Sequence, residues 1–209
     1  MRLRRIKGIE EKIKEYSDVI VFDALGKKGK WNEVFNNSNP IYLEIGMGKG
    51  NFIVKSAKIN PNINYIGCEI SDSVAYIASK KIRGINNIRV INSDAFILSD
   101  VFNEGEISKL YLNFSDPWPK KKHEKRRLTS AAYLNLYKKL LGKDKEIELK
   151  SDNRHFFEYS LMMFANNDFE ILELSLDLHK DKEDIVTTEY EDKFNELGQP
   201  IYYVKVRIK

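Results

Sequence analysis

The sequence predicts an α/β protein built on one doubly wound, seven-stranded, mostly parallel sheet. From residue 41 onward, short β-rich runs alternate with segments of helical periodicity. The first of these runs ends in a glycine-rich loop that opens a helical segment, which is the usual context of a cofactor loop. Because consecutive βαβ units are right-handed and keep their strands parallel, the alternation favours a single sheet with helices on both faces.

Seven runs have the character of strands, because they are short, rich in β-branched, aromatic or aliphatic residues, and bounded by glycine, proline or asparagine. The last run is the clearest, since Tyr202, Val204 and Val206 alternate with Tyr203 and Lys205 and so share one face. The predicted strands are residues 41–46, 64–69, 88–91, 110–114, 146–150, 169–176 and 201–208.

The segments between these strands have helical spacing, with apolar or small residues recurring three or four positions apart. The pattern is strongest where Tyr133, Leu136, Tyr137 and Leu140 fall in register ahead of Gly142. The predicted helices begin near residues 52 and 72 and cover residues 129–141 and 156–165.

The chain divides into an N-terminal arm and one regular unit. Residues 1–39 form a polar lead-in with loop signals at Gly26 and Gly29, and residues 40–209 carry the alternating pattern without repeats or low-complexity tracts. At 209 residues, with 42% hydrophobic and 32% charged residues, the chain is long and apolar enough for one well-packed core. We therefore expect a single domain over residues 40–209.

Composition also restricts the compartment. No run of about 18 apolar residues occurs, so we expect no membrane span. A single cysteine excludes an internal disulfide and favours a reducing compartment, which predicts a cytoplasmic protein. The net charge of +4 is modest, but basic residues gather at positions 2–7, 27–30 and 120–127.

The first strand runs into the loop Glu-Ile-Gly-Met-Gly-Lys-Gly at residues 44–50. Dinucleotide-binding loops follow G-x-G-x-x-G and hold a pyrophosphate at a helix N-terminus, whereas this loop reads G-x-G-x-G. An anionic Glu44 in the strand is poorly placed beside a pyrophosphate but well placed for a cationic ligand. S-adenosylmethionine carries an ammonium and a sulfonium and no phosphate, so the loop favours it over NAD.

Acidic residues also follow the next two strands. Glu69 ends the second strand, where a carboxylate can accept hydrogen bonds from ribose hydroxyls, and Asp94 follows the third, where it can receive an adenine amino group. Ligands of doubly wound sheets bind beyond the carboxyl ends of the strands. Together with Glu44, Gly46 and Gly48, these acids form the predicted cofactor site.

The fourth strand leads into Asn-Phe-Ser-Asp-Pro-Trp-Pro-Lys at residues 113–120. Pro117 and Pro119 restrict the backbone and remove amide donors, which fixes the direction of Asp116 and Trp118. Residues 120–127 then carry six lysines and arginines against one glutamate. An acid, an aromatic ring and a phosphate-binding run in this order predict a nucleic-acid base with its backbone as substrate.

The segment Phe-Ser-Asp-Pro-Trp-Pro-Lys-Lys-Lys-His-Glu-Lys-Arg-Arg, residues 114–127, resembles the signature of the bacterial tRNA (guanine-N7-)-methyltransferase family. The glycine loop, the strand order and Thr-Glu-Tyr-Glu-Asp-Lys-Phe at residues 188–194 are similar as well. The resemblance implies a Rossmann-like class I methyltransferase fold with an antiparallel last strand and S-adenosylmethionine as methyl donor. The implied methyl acceptor is N7 of a guanosine in the tRNA variable loop, position 46 in standard tRNA numbering.

Matching positions imply roles for individual residues. Asp116 would be the catalytic acidic residue of the active site, in its carboxylate form. The implied cofactor-binding set is Glu44, Gly46, Gly48, Glu69, Asp94 and Asp116; the substrate-binding set is Lys120, Asp152, Thr188, Glu189, Tyr190 and Glu191; and the RNA-binding set is Lys122, His123, Lys125, Arg126 and Arg127.

The chemistry agrees with this assignment. Guanine N7 has an in-plane lone pair and no proton, so its attack on a methyl group needs no general base, and alignment can supply about 7–11 kcal/mol. Because the sulfonium is cationic before the reaction, we expect Asp116 to orient the reactants more than to lower the barrier electrostatically. Guanine selectivity requires acceptors for N1–H and the 2-amino group, which Glu191 or Asp152 can provide. Trp118 can stack on a flipped base.

Three other functions fit parts of the pattern. An amino-group methyltransferase of adenine or cytosine has an Asn/Asp-Pro-Pro-aromatic turn at the same strand end, but here one proline separates Asp116 from Trp118. The set of acids disfavours a non-catalytic RNA-binding module, and the glycine spacing disfavours a dehydrogenase. The three histidines are scattered, so no metal site is predicted. We expect tRNA as the partner, a monomer or homodimer, and no membrane or obligatory protein subunit.

Overall fold

The computed structural model describes residues 5–142 and 145–209. Seven strands in these parts of the chain form one sheet. They are β1 (Ile41–Ile45), β2 (Asn64–Cys68), β3 (Ile88–Ile91), β4 (Ile107–Asn113), β5 (Glu146–Ser151), β6 (Phe169–Ser175) and β7 (Tyr202–Ile208). Their order across the sheet is β3-β2-β1-β4-β5-β7-β6.

The strand directions confirm the predicted fold class. The pairs β1–β2, β1–β4, β2–β3 and β4–β5 are parallel, and β7 runs antiparallel between β5 and β6. The chain leaves β1 towards β2 and β3 and later returns to its other side with β4, so the topological switch point lies between β1 and β4. Ligands of such sheets bind at the carboxyl ends of these two strands.

Helices connect the strands. The α-helices are α1 (Ile9–Lys12), α2 (Trp31–Phe35), α3 (Asn51–Ile59), α4 (Asp72–Ile82), α5 (Leu98–Val101), α6 (Ala131–Leu141), α7 (Arg154–Ala165), α8 (Leu178–Asp181) and α9 (Glu189–Glu196). Short 3₁₀ turns cover Ile13–Tyr16, Leu25–Lys27, Ala95–Ile97 and Lys121–Arg126. None of the helices in the described ranges is long and apolar enough to cross a membrane.

Apolar residues on the two faces of the sheet form two core layers. On one face, α5, α6 and α7 pack with Leu43, Leu110 and Leu149. On the other face, α3 and α4 pack with Tyr65 and Val90. Because strand side chains alternate between faces, the strands β1, β2, β3 and β4 contribute to both layers.

The helix α9 was not predicted, because its sequence Glu-Tyr-Glu-Asp-Lys-Phe-Asn-Glu lacks an apolar stripe. Its N-terminus is instead held by a capping box, in which the Thr188 side chain accepts from the Glu191 amide and the Glu191 side chain accepts from the Thr188 amide. The pattern Thr-x-x-Glu at residues 188–191, a capping-box signature, could have indicated the start of this helix.

The lead-in before β1 is polar in composition, but most of its described apolar side chains are buried or partly buried; Phe22 and Leu25 are exposed. Ile9 and Trp31 are fully buried, and Ile20 forms a parallel bridge with Val90 beside the edge strand β3. Trp31 stacks on Phe102 at 5.2 Å between ring centroids, and its Nε1 donates to the Val101 carbonyl at 3.1 Å. Single-turn helices carry too little periodicity to be predicted from sequence.

Trp31 makes the lead-in part of the main core, and its truncation should destabilise the whole fold. We expect Trp31→Ala to lower the free energy of unfolding by about 3–5 kcal/mol, because a fully buried ring is lost. Trp31→Phe keeps most of the ring and loses the bond to Val101, so its cost should be smaller, about 1–3 kcal/mol. Urea unfolding followed by circular dichroism measures both, and a loss below 1 kcal/mol for Trp31→Ala would contradict this packing role.

Candidate active site

The glycine loop leaves an open backbone surface at the end of β1. Gly46 and Gly48 adopt left-handed conformations, with φ of 74° and 57°. A Cβ at either residue would have no heavy atom within 4 Å among the described residues, so the strand-to-helix turn borders free space. The Gly46 amide donates to the Cys68 carbonyl at 2.8 Å, which anchors the loop on β2. Side chains at these positions would block the backbone that a ligand approaches.

Glu44 supplies a buried carboxylate beside this loop. It is 2% exposed, and its Oε1 accepts a hydrogen bond from Asn113 Nδ2 at 2.9 Å. Its Oε2 is buried without a hydrogen-bond partner in the described part of the chain. Burial raises the pKa of Glu44 to about 8. A buried carboxylate with one unpartnered oxygen fits a cationic group such as the ammonium of S-adenosylmethionine.

Glu69, directly after β2, links the loop to the next strand. Its Oε2 accepts from the Gly48 amide at 3.1 Å, and its Oε1 accepts from the Ser71 amide at 2.9 Å. Burial raises the pKa of Glu69, and the backbone hydrogen bonds oppose that change. Since each carboxylate oxygen has a second lone pair, Glu69 can still accept from a ribose hydroxyl.

Asp94 follows β3 and is exposed. Its Oδ1 accepts from the Phe96 amide at 2.9 Å. The Phe96 ring, itself about half exposed, stacks on Tyr133 at 4.3 Å between centroids. This arrangement places an acceptor and an exposed ring face at the same edge, which suits a flat base such as adenine.

The turn after β4 is held in an unusual backbone conformation. Phe114 and Trp118, on either side of Asp116, have φ of 52° and 41°, which is rare for residues other than glycine. The Phe114 amide donates to the Lys150 carbonyl at 2.9 Å. Arg127 donates from Nε to the Pro117 carbonyl at 3.1 Å and from Nη2 to the Trp118 carbonyl at 3.2 Å. These bonds hold Asp116 at the tip of the turn, exposed to solvent.

A cavity of about 1370 Å³ joins these elements. Pockets for a single small ligand usually have volumes of about 300–1,000 Å³, so this cavity has room for a cofactor together with a base. Its lining includes Tyr133 and Tyr159 from α6 and α7. The predicted site residues in its lining are Gly46, Glu69, Asp94, Asp116, Lys122, Lys125 and Arg126, and Trp118 lies among them.

The remaining predicted residues lie outside that lining. Glu44 is below the loop, Gly48 is in the loop, and Lys120 is exposed next to the turn. Asp152, half-buried, follows β5. Burial and the charges of Asp152 and Asp116 raise the pKa of Tyr190.

The segment 188–191 is joined to the cofactor loop. Glu189 Oε1 accepts from Lys49 Nζ at 3.0 Å, and the Tyr190 ring lies 5.6 Å from the Phe114 ring between centroids. Glu191 is fully buried, with Lys150 Nζ at 3.0 Å from both of its oxygens. The structure therefore brings Thr188, Glu189 and Tyr190 to the site, and places the Glu191 carboxylate beneath them.

The basic run forms a 3₁₀ turn with two kinds of side chain. Arg127 donates its hydrogen bonds to the carbonyls of the turn after β4, and its guanidinium lies 4.2 Å from the Tyr159 ring centroid. The Arg126 guanidinium lies 5.0 Å from the Trp118 ring centroid, and the His123 ring meets the same indole edge-on at 5.6 Å. The exposed cations are Lys120, Lys121, Lys122, Lys125 and Arg126.

Sequence reasoning missed two residues of the site. Asn113 provides the hydrogen bond to the buried Glu44 carboxylate, and Lys150 pairs with Glu191 across 41 positions of sequence. Each lies at the carboxyl end of its strand, β4 and β5, which was the available signal. The partner of each is distant in sequence, so spacing alone could not reveal the pairing.

The sheet order, the antiparallel β7 and the acids at the ends of β1, β2 and β3 define a class I S-adenosylmethionine-dependent methyltransferase. Residues 38–204 match a family model described as a putative methyltransferase. The chain is 49% identical to the tRNA (guanine-N(7)-)-methyltransferase of Bacillus velezensis over 99% of its own length and 96% of that protein. It is 47% identical to the enzyme of the same name from Streptococcus thermophilus, over the full length of both. The chain belongs to the tRNA (guanine-N(7)-)-methyltransferase family.

Solved structures share the fold at low sequence identity. An antibiotic-related methyltransferase matches with a TM-score of 0.63 and 19% identity, over 85% of this chain and 92% of that chain. A 16S rRNA methyltransferase also gives 0.63, with 11% identity, over 87% of this chain and 93% of that chain. These likenesses concern the fold alone.

Cofactor affinity should depend on pH through Glu44. Because burial raises the pKa of Glu44 to about 8, the carboxyl must lose a proton below pH 8 before it pairs with an ammonium. As the pH is lowered from 8 to 6, we expect the dissociation constant of S-adenosylmethionine to rise about tenfold for each pH unit. Calorimetry in buffers of different ionisation enthalpy should detect about one proton released per cofactor at pH 6.5.

The matched control is Glu44→Gln, which keeps the size of the side chain and removes the titration. Its affinity should be weaker than that of the unmodified protein at pH 8 and nearly constant between pH 6 and pH 8. An equal pH slope in both proteins would show that another group titrates.

Proposed function

We propose that this protein transfers a methyl group from S-adenosylmethionine to N7 of a guanosine in the tRNA variable loop, at position 46, forming 7-methylguanosine. The observation that carries the proposal is the position of Asp116. It lines one cavity with Gly46, Glu69 and Asp94 towards the cofactor and with Lys122 and Lys125 towards the substrate. The relatives named tRNA (guanine-N(7)-)-methyltransferase support the choice of base, ring atom and nucleic acid.

Five residues would hold the cofactor. Glu44 offers its unpartnered oxygen to the ammonium, Glu69 accepts from the ribose, and Asp94 accepts from the adenine amino group. Gly46 and Gly48 provide a backbone surface that no side chain covers. S-adenosylmethionine supplies an electrophilic methyl group on its sulfonium, and the residues named here bind and orient it.

Asp116 then orients the guanine. Its side chain is exposed at the tip of a turn whose two flanking residues are fixed in left-handed conformations, and strain of this kind persists only where the surrounding structure enforces it. A carboxylate on a backbone turn held in this way can position N7 against the methyl group and stabilise the cationic product. No proton is removed from N7, so Asp116 does not act as a base.

Asp152 is the better of the two candidate acceptors for the guanine N1–H and 2-amino groups. Asp152 is half-buried and its charge, with that of Asp116, raises the pKa of Tyr190, whereas the Glu191 carboxylate is fully buried and already bonded to Lys150. Adenine would leave these acceptors unpaired, which disfavours it. Glu191 contributes to the substrate site by fixing the segment 188–190 above it.

The exposed cations beside the cavity would bind the tRNA backbone. Lys120, Lys122, Lys125 and Arg126 carry this charge, and phosphate contacts of this kind position a nucleic acid without reading its sequence. The tRNA substrate and the single cysteine support a cytoplasmic enzyme. No protein subunit is needed to complete the set of residues named here, which is compatible with a monomer or a homodimer.

The identity of the product tests the proposed function. Unmodified tRNA incubated with methyl-labelled S-adenosylmethionine and then digested should yield label only in 7-methylguanosine. Asp116→Ala should reduce kcat about 100-fold or more, because a misplaced base loses alignment, while the dissociation constant for tRNA changes less than threefold. A tRNA transcript with adenosine in place of the variable-loop guanosine is the substrate control and should receive no label. Label in N6-methyladenosine would overturn the proposal.

Salt dependence tests the RNA-binding run. Replacing Lys122, Lys125 and Arg126 with glutamine should reduce the slope of log affinity for tRNA against log salt by about 2–3, since each phosphate contact contributes about 0.7–0.9. The control replaces three exposed lysines outside the cavity, Lys12, Lys30 and Lys58, and should leave the slope within 0.5 of the original. Equal slopes for the two triple variants would place the RNA elsewhere.

A further inference from the structure

Lys150 is a buried lysine at the end of β5. In the described part of the chain, its side chain donates hydrogen bonds to Val186 and Glu191, one before the start of α9 and one in its first turn. Its side chain is 5% exposed. Its Nζ donates to Glu191 Oε1 and Oε2, each at 3.0 Å, and to the Val186 carbonyl at 2.9 Å. An ammonium has three donors, so both ends of the segment 186–191 are bonded to this one group.

These bonds hold the N-terminus of α9 from below. The Glu191 carboxylate that Lys150 pairs with also closes the capping box with Thr188. The ion pairs of Glu189 with Lys49 and Lys81 and of Asp192 with Lys55 are exposed, and exposed pairs contribute little. Apolar contacts are made by Tyr190 with Phe114 and by Phe194 with the cluster of Leu178, Ile201 and Tyr203. The buried pair is therefore the main polar anchor of the residues that face the substrate.

The same lysine also faces the cofactor side of the site. Its charge acts on Glu44 and lowers the pKa that burial raises. Across the β4–β5 pairing, Lys150 is opposite Asn113, which donates to Glu44. Its backbone carbonyl accepts a hydrogen bond from the amide of Phe114, the first residue of the turn that carries Asp116.

His179 Nε2 also lies 3.2 Å from Glu191 Oε1, but without hydrogen-bond geometry. Lys150 is therefore the side chain that hydrogen-bonds both oxygens of Glu191 among the residues that the structure describes.

We propose that Lys150 is a positioning residue for the methyl transfer: it fixes Thr188, Glu189 and Tyr190 at the substrate opening through Glu191. The inference rests on the proposed function, because it concerns how the substrate segment of that site is held. It predicts that loss of the lysine destabilises the N-terminus of α9 and weakens the binding of tRNA more than the binding of the cofactor.

The experiment compares Lys150→Met, Glu191→Met and the double variant. Each should raise the KM for tRNA about tenfold, with kcat changed less than threefold. The dissociation constant of S-adenosylmethionine, measured above pH 8 so that Glu44 is ionised, should also change less than threefold. Because Lys150 acts through Glu191, the double variant should show the same increase as either single change, and not their product. Hydrogen exchange in residues 188–196 should accelerate at least tenfold in all three, while exchange in β4 and β5 stays the same.

The double variant keeps the test decisive if Lys150→Met alone fails to fold. It replaces both buried charges by apolar side chains of similar length, a change that buried ion pairs commonly tolerate. The matched control is Lys109→Met with Glu148→Met, which removes another partly buried strand pair, 2.6 Å apart, from the same sheet. The control should leave the KM for tRNA and the exchange of α9 unchanged.

The outcomes separate this inference from the proposed function. An unmodified protein that labels no guanosine in tRNA overturns the function. An active unmodified protein whose Lys150 and double variants keep the KM for tRNA and the slow exchange of α9 overturns the role of Lys150. Equal tenfold increases in the KM for the Lys150 and Lys109 pairs would also overturn it, since the effect would then follow from loss of any sheet ion pair.

Discussion

The carboxylate of Glu44 lies at the centre of the sheet, at the carboxyl end of β1, where burial makes its charge costly. One oxygen is bonded to Asn113 on β4, and the other has no partner among the residues that the structure describes. A buried charge of this kind is stable only when a cation or donor completes it. The neighbouring elements are arranged around that requirement: the loop beyond Glu44 is open backbone, and Lys150 from β5 compensates part of its charge.

The turn after β4, residues 114–118, depends on the same pair of strands. Asn113 ends β4 and is followed at once by Phe114, whose left-handed backbone starts the turn that presents Asp116. Arg127 closes the turn from the other end through two backbone carbonyls. Glu44, Asp116 and the segment 188–191 are therefore connected through β4 and β5. A displacement of either strand end would alter all three, which explains why polar and charged residues with long-range partners are concentrated there.

Sequence periodicity identified each strand of the sheet, because strand and helix signals are local and repeat within ten residues. It did not identify α9, whose polar sequence is stabilised by a capping box and a buried ion pair, or the packing of Trp31, since single apolar residues in a polar stretch carry no period. For the site, the sequence motifs indicated Glu44, Glu69, Asp94 and Asp116, which lie at or just after the carboxyl ends of β1, β2, β3 and β4. It could not distinguish Arg126 from Arg127, although their surroundings differ completely.

The amino-acid sequence alone determined the fold class, the preference for a cationic cofactor over a dinucleotide, and the family, because glycine spacing, alternation and the Asp-Pro-Trp-Pro signature are encoded in neighbouring positions. The tertiary structure decided how these parts cooperate. It showed that one oxygen of Glu44 is without a partner, that Glu191 is bonded to Lys150 below the surface, and that Arg127 supports the turn. These features arise from contacts between residues tens of positions apart, and such contacts depend on the packing of strands and not on any local pattern.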